Sequence, residues 1–101
     1  MDSKQFQQTI EKGLFLVDFN APWCAPCKIQ EPIIQTMEEK FKNKISVVFI
    51  NIDDNRKLAT DFMVQSIPTL VFFKNGIEEE RFIGLQTEET IENKLNSMLQ
   101  H

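Results

Sequence analysis

The stretch Leu14-Phe15-Leu16-Val17-Asp18-Phe19-Asn20, followed at once by Ala21-Pro22-Trp23-Cys24-Ala25-Pro26-Cys27-Lys28, decides how this chain is read. Its first seven residues run apolar without alternating, the pattern of a strand covered on both faces. Just beyond, Pro26 is acceptable only in the first turn of a helix, where a missing N–H costs nothing. A helix therefore starts near Cys24 and carries Ile29, Ile33, Ile34, Met37 and Phe41 at helical spacing, with Pro32 predicting a kink inside it. The next strand is Ile45-Ser46-Val47-Val48-Phe49-Ile50-Asn51-Ile52, also apolar throughout and read as buried on both faces. Strand, helix and strand of this kind form a βαβ unit, whose two strands lie parallel.

Upstream, Ser3 is placed to cap a first helix with Phe6 and Ile10 on one face, and Gly13 to end it. Downstream, Asp53-Asp54-Asn55 offers caps for a short helix carrying Leu58, Phe62 and Met63. Thr69-to-Phe73 and Ile77-to-Phe82 flank Asn75-Gly76, the strongest short-range hairpin signal. Thr87 caps a last helix with Ile91, Leu95, Met98 and Leu99 on an apolar stripe. The expected fold class is α/β: a central mixed sheet of about four strands, a parallel βαβ unit plus an antiparallel hairpin, flanked by about four helices. Met37, Met63 and Met98 are read as core packing. Glu78-Glu79-Glu80 is read as a solvated strand edge, where charge discourages further pairing.

No linker, repeat or low-complexity segment interrupts the alternation, so residues 1–101 are expected to form a single domain. With 42% hydrophobic and 26% charged residues, the chain is too apolar for intrinsic disorder. Net charge is −4, and Lys and Arg are scattered rather than clustered, which leaves no electrostatic footprint for nucleic acid or an anionic membrane. No apolar run reaches membrane-spanning length, and Met1-Asp2-Ser3-Lys4-Gln5 lacks the basic and apolar regions of a secretory signal, so a cytoplasmic location is expected.

Two cysteines three positions apart cannot staple distant segments, so a disulfide framework is excluded. In a reducing compartment such a pair is catalytic or metal-binding. In the first turn of a helix the two Cα atoms lie about 5 Å apart, within disulfide range, so the pair can open and close without refolding. Cys24 at the helix N-terminus meets unpaired N–H groups and the positive end of the macrodipole, which stabilise a thiolate by roughly 0.3–1 kcal/mol, up to about 2 if partly buried. A hydrogen bond from the Cys27 thiol would add to this. Cys24 is then the attacking thiol and Cys27 the resolving one. A zinc half-site and a pair of inert thiols are the alternatives, but a structural zinc site takes four ligands and the chain offers two thiols and His101.

Asp18 stands at the C-terminal end of its strand, where sites form in open α/β sheets. Desolvated among Phe15, Leu16, Val17 and Phe19, it would have a raised pKa and would take the Cys27 proton and later return it. A solvated strand-end aspartate is the alternative. Trp23 is either an exposed contact for protein substrates or a lid on the core. From sequence alone Ile67-Pro68 is trans by base rate.

Val17-Asp18-Phe19, Ala21, Trp23-Cys24-Ala25-Pro26-Cys27-Lys28, Pro32, Asn51-Ile52-Asp53, Ile67-Pro68-Thr69-Leu70, Phe73-Lys74-Asn75-Gly76 and Gly84 resemble, in order and spacing, the thioredoxin family from about Leu14 to the C-terminus. A lone Cys-X-X-Cys is a weak motif, whereas this ordered set is specific. The resemblance implies dithiol–disulfide exchange with Cys24 as nucleophile, Cys27 as resolving thiol and Asp18 as buried proton acceptor and donor. It implies a cis Ile67-Pro68 bond facing the disulfide, and a substrate groove lined by Trp23, Ala25, Pro26, Ile67, Pro68 and Gly84. It further implies no cofactor beyond the Cys24-Cys27 disulfide and no metal. The implied partners are a thioredoxin reductase and oxidised target proteins, met by a monomer. An oxidase or isomerase role, and a binding module without redox chemistry, are the competing readings.

Four features depart from the family pattern. Ala25 stands where the commonest motif has Gly, and Asn20 where an aromatic is usual. Phe49 occupies the position at which many members carry a lysine near the buried aspartate, so Asp18 is expected to titrate higher here. About 13 residues precede the first core strand, too few for the family's leading strand and helix, so four strands are expected rather than five.

Overall fold

A computed structural model describes residues 1–100. The elements run α1 (Ser3–Thr9), β1 (Leu14–Asn20), α2 (Ala25–Lys40), β2 (Ser46–Asn51), α3 (Arg56–Asp61), β3 (Thr69–Lys74), β4 (Ile77–Ile83) and α4 (Glu88–Leu99). The four strands form one mixed sheet in the order β2-β1-β3-β4. β1 pairs parallel with β2 and antiparallel with β3, and β4 is antiparallel to β3. The α/β class, the four strands and the four helices are as expected from sequence.

Alternation along β1 distributes its side chains to two cores. Leu16 joins Ile34 and Met37 of α2, Ile91, Leu95 and Met98 of α4, and Leu70 and Phe72 of β3. Val17 and Phe19 point the other way, onto Phe6 of α1, Ile10, Leu58 of α3, and Val71 and Phe73. There the Phe6 ring meets Phe62 and Phe73 edge-on at centroid distances of 5.0 and 5.8 Å, a preferred aromatic geometry. Asp18 shares its face of β1 with Leu16, so it is aimed at α2. The Asn75-Gly76 hairpin forms with both residues at positive φ, 51° and 83°, as a type I′ turn requires.

Several local expectations are corrected. Asp2, not Ser3, caps α1: its side chain accepts from the Gln5 N–H at 2.7 Å while Gln5 Oε1 accepts from the Asp2 N–H at 3.0 Å. A capping box satisfies two orphan amides at once, and Ser3 instead donates its hydroxyl to Asp61. The helix ends at Ile10, ahead of Gly13. β2 is not buried on both faces: it is an edge strand in which only Ile50 is fully buried. A run of Val, Phe and Ile reads the same at an edge as in a sheet centre, because burial depends on neighbours distant in sequence. Met63 is not a core residue; it lies past the end of α3 at φ 56° and is 75% exposed. Leu99 is 37% exposed, less buried than Ile91, Leu95 and Met98 on its helix. The α2 helix spans Ala25–Lys40 with Pro32 in its interior, where the sequence places it.

Candidate active site

The chain leaves β1 at Asn20 and turns into α2 within four residues, closed by the Cys24 N–H donating to the Ala21 carbonyl at 3.2 Å. Cys24 is the N-cap residue of α2, with extended backbone angles and Pro26 in the first turn. Its Sγ accepts a hydrogen bond from the Cys27 main-chain N–H at 3.2 Å. This amide is one of the orphan donors of a helix start, the unpaired N–H groups that the sequence places at Cys24. The two cysteines form a disulfide with Cα atoms 5.3 Å apart, close to the spacing the motif predicts. Both are nearly buried and pack with Ala21 and Ile67. When the bond opens, a thiolate on Cys24 keeps the Cys27 N–H and the helix dipole, and both favour the anion.

Asp18 is fully buried, with 0% exposure. Neither carboxyl oxygen has a hydrogen-bond partner among the described residues. Burial, and after it the negative charge of Glu31, pushes its pKa up to about 7. The Asn20 amide opposes the rise, yet it spends a hydrogen on the Asp18 main-chain carbonyl at 3.0 Å instead of on the carboxyl group. The solvated alternative for Asp18 is thus excluded. A cleft of about 460 Å³ has Asp18 and Cys27 in its walls together with Asn20, Lys28, Glu31 and Asn51. Asp18 and Cys27 therefore share one cavity. Phe49, the β2 register partner of Asp18, is 37% exposed and brings no charge to this neighbourhood.

Of the residues expected to line a groove, Ile67 packs against the disulfide. The Ile67-Pro68 bond is cis, and the Gly84 N–H donates to the Pro68 carbonyl at 2.8 Å. Ala25 and Pro26 are exposed beside the cysteines. Trp23 is 67% exposed, with its Nε1–H donating to Asp53 at 2.9 Å, so it is not a lid on the core.

Three polar residues of α2 escaped the sequence reading. Glu31 and Lys28 line the cleft. Gln30 is fully buried and bonds the Gln86 main chain twice, accepting from its N–H at 2.7 Å and donating to its carbonyl at 3.1 Å. The spacing of Cys27, Gln30 and Ile34 marks one helix face and would have revealed Gln30. Among the described residues no group of three or more His, Cys, Asp or Glu side chains is placed to hold a metal ion. His101, the third ligand considered for zinc, lies outside the described residues. No helix among them is long and apolar enough to cross a membrane.

The family model named Thioredoxin matches residues 1–97. The chain belongs to the thioredoxin family. It is 41% identical over 96 residues to a thioredoxin of Chlamydia pneumoniae, covering 95% of this chain and 93% of that one. Against a thioredoxin of Porphyra purpurea the identity is 39% over 99 residues, covering 97% of this chain and 92% of the other. A solved structure of a mutant thioredoxin from Halobacterium salinarum superposes with a TM-score of 0.84 at 34% identity, covering 93% of this chain and 82% of that one. With the cysteine pair in place, family membership makes the protein a thiol-disulfide oxidoreductase.

Proposed function

We propose that this protein is a cytoplasmic protein-disulfide reductase, working as a monomeric domain over residues 1–101 and re-reduced by a thioredoxin reductase. The observation that carries the proposal is the cleft that gives Cys27 and the unpartnered Asp18 carboxyl a common wall. In the first half-reaction the Cys24 thiolate attacks one sulfur of a target disulfide. A Cys24–target bond forms, the target's own S–S bond breaks, and its first thiolate leaves and takes up a proton. In the second, the Asp18 carboxylate removes the Cys27 proton and the Cys27 thiolate attacks Cys24. The Cys24–Cys27 bond forms, the second target thiolate departs, and two electrons have moved from the protein to the target. Asp18 returns its proton when the pair is next reduced.

Ile67, Pro68 and Gly84 would hold an extended target segment beside the disulfide, with the Ile67 backbone adding it as a strand. Trp23, Ala25 and Pro26 offer exposed contact on the opposite lip. The helix start at Cys24 favours a thiolate there, the form that attacks a disulfide.

Insulin reduction driven by dithiothreitol, or coupled to a thioredoxin reductase, tests the reading. Cys24→Ser and Cys27→Ser should both lose activity, and Cys27→Ser should accumulate mixed disulfides through Cys24. Variants that keep the biological role without either thiol would point instead to a binding module.

A further inference from the structure

The walls of the cleft over Asp18 carry a second carboxylate that the exchange reaction does not use. Cys27 and Glu31 are four residues apart in the unbroken α2 helix, so they lie one above the other on one helix face. Glu31 is exposed while Asp18 is fully buried, and both line the same cavity as Cys27. A buried carboxyl with no donor of its own, already biased toward its neutral form by desolvation, is biased further by whatever charge faces it. From α2 these charges are Lys28 and Glu31, with Cys27 added once it is reduced. β2 presents Phe49 and Asn51, β3 presents Leu70 as the register partner, and the same face of β1 presents Leu16 and Asn20, none of them charged.

We infer that Glu31 is a positioning residue for the resolving half-reaction: from the solvent side of the cleft its carboxylate disfavours ionisation of Asp18, and so sets the pH at which Cys27 passes on its proton. The field has a chemical use. A thiol gives its proton most readily to a base of matching strength, and an ordinary aspartate is far too weak a base for that. Burial lifts Asp18 toward the thiol, and Glu31 is the next largest contribution in the same direction. The inference rests on Asp18 being the acceptor of the Cys27 proton.

The test pairs two readouts in wild type, Glu31→Gln, Glu31→Lys and Asp18→Asn. The first is the Asp18 carboxyl titration by carbon NMR in the oxidised protein, where no thiol titrates beside it. The second is the pH profile of decay of a Cys24 mixed disulfide with thionitrobenzoate, followed by stopped flow. In Glu31→Gln both midpoints should move down together, by roughly 0.3 to 1 pH unit for a like charge on a half-solvated wall, and in Glu31→Lys they should move further. Either midpoint staying in place in both variants overturns the inference. Asp18→Asn keeps the two readings apart: if it abolishes the acid limb of the decay profile while the Glu31 variants move nothing, only the Glu31 inference fails. If it leaves that limb intact, the assignment of Asp18 itself fails.

Discussion

Replacing Asp18 by Asn should stabilise the oxidised protein strongly, and only above acid pH. In the folded protein the Asp18 carboxyl is fully buried without a partner, and its pKa rises from 3.8 to about 7. An acid that holds its proton more tightly when folded favours the folded state where it is protonated in both states. That advantage is lost as pH rises through the window from the unfolded to the folded pKa. At about 1.4 kcal/mol per unit, the span from 3.8 to about 7 costs about 4 kcal/mol once both states are ionised. Asn is nearly isosteric and does not ionise, so it escapes the cost. Any penalty for burying its amide is the same at every pH and cancels when two pH values are compared. Relative to wild type, Asp18→Asn should therefore gain about 4 kcal/mol between pH 4 and pH 8, a shift of roughly 1.3 to 4 M in the urea midpoint. Urea denaturation of both oxidised proteins at pH 4, 6 and 8 measures it. A stability difference that stays constant across that range would mean that Asp18 is not held protonated by burial.

Phe49→Lys places a cation beside Asp18 across the β1–β2 pairing and should lower the Asp18 midpoint by roughly one pH unit; an NMR titration showing no downward shift contradicts the reasoning. Gln30→Ala removes both hydrogen bonds to the Gln86 main chain, leaving part-buried backbone groups unpaired at a cost of roughly 2 to 4 kcal/mol. Urea denaturation gives the loss, and hydrogen exchange at the Gln86 amide should accelerate; unchanged protection there would show that Gln30 does not anchor the loop after Gly84.

Much of this fold can be read from local pattern. The bounds of β1 follow from an apolar run between Gly13 and Ala21, and the hairpin from Asn75-Gly76, where only residues tolerant of positive φ close a two-residue turn. The start of α2 follows from Pro26, and the reach of the disulfide from a spacing of three. The local cues fail where two elements compete for one role. Asp2 and Ser3 are both good caps, and Gln5 chooses between them by completing the box with Asp2. Met63 fits a helical stripe, but the helix has already ended.

The site divides along the same line. From sequence come the two cysteines, the order of action proposed for them and the expectation that Asp18 is buried, because each depends on residues within a few positions of its neighbours. Packing alone decides that β2 is an edge, since its apolar run is indifferent to whether another strand lies alongside. The same holds for the cleft, where Asp18 meets Cys27 and Glu31. A strand residue and a helix face come together only when the sheet twists under α2, and the field that results belongs to none of those residues singly. The sequence by itself determined which atoms exchange electrons. The tertiary structure decided which charges surround the proton that must move with them.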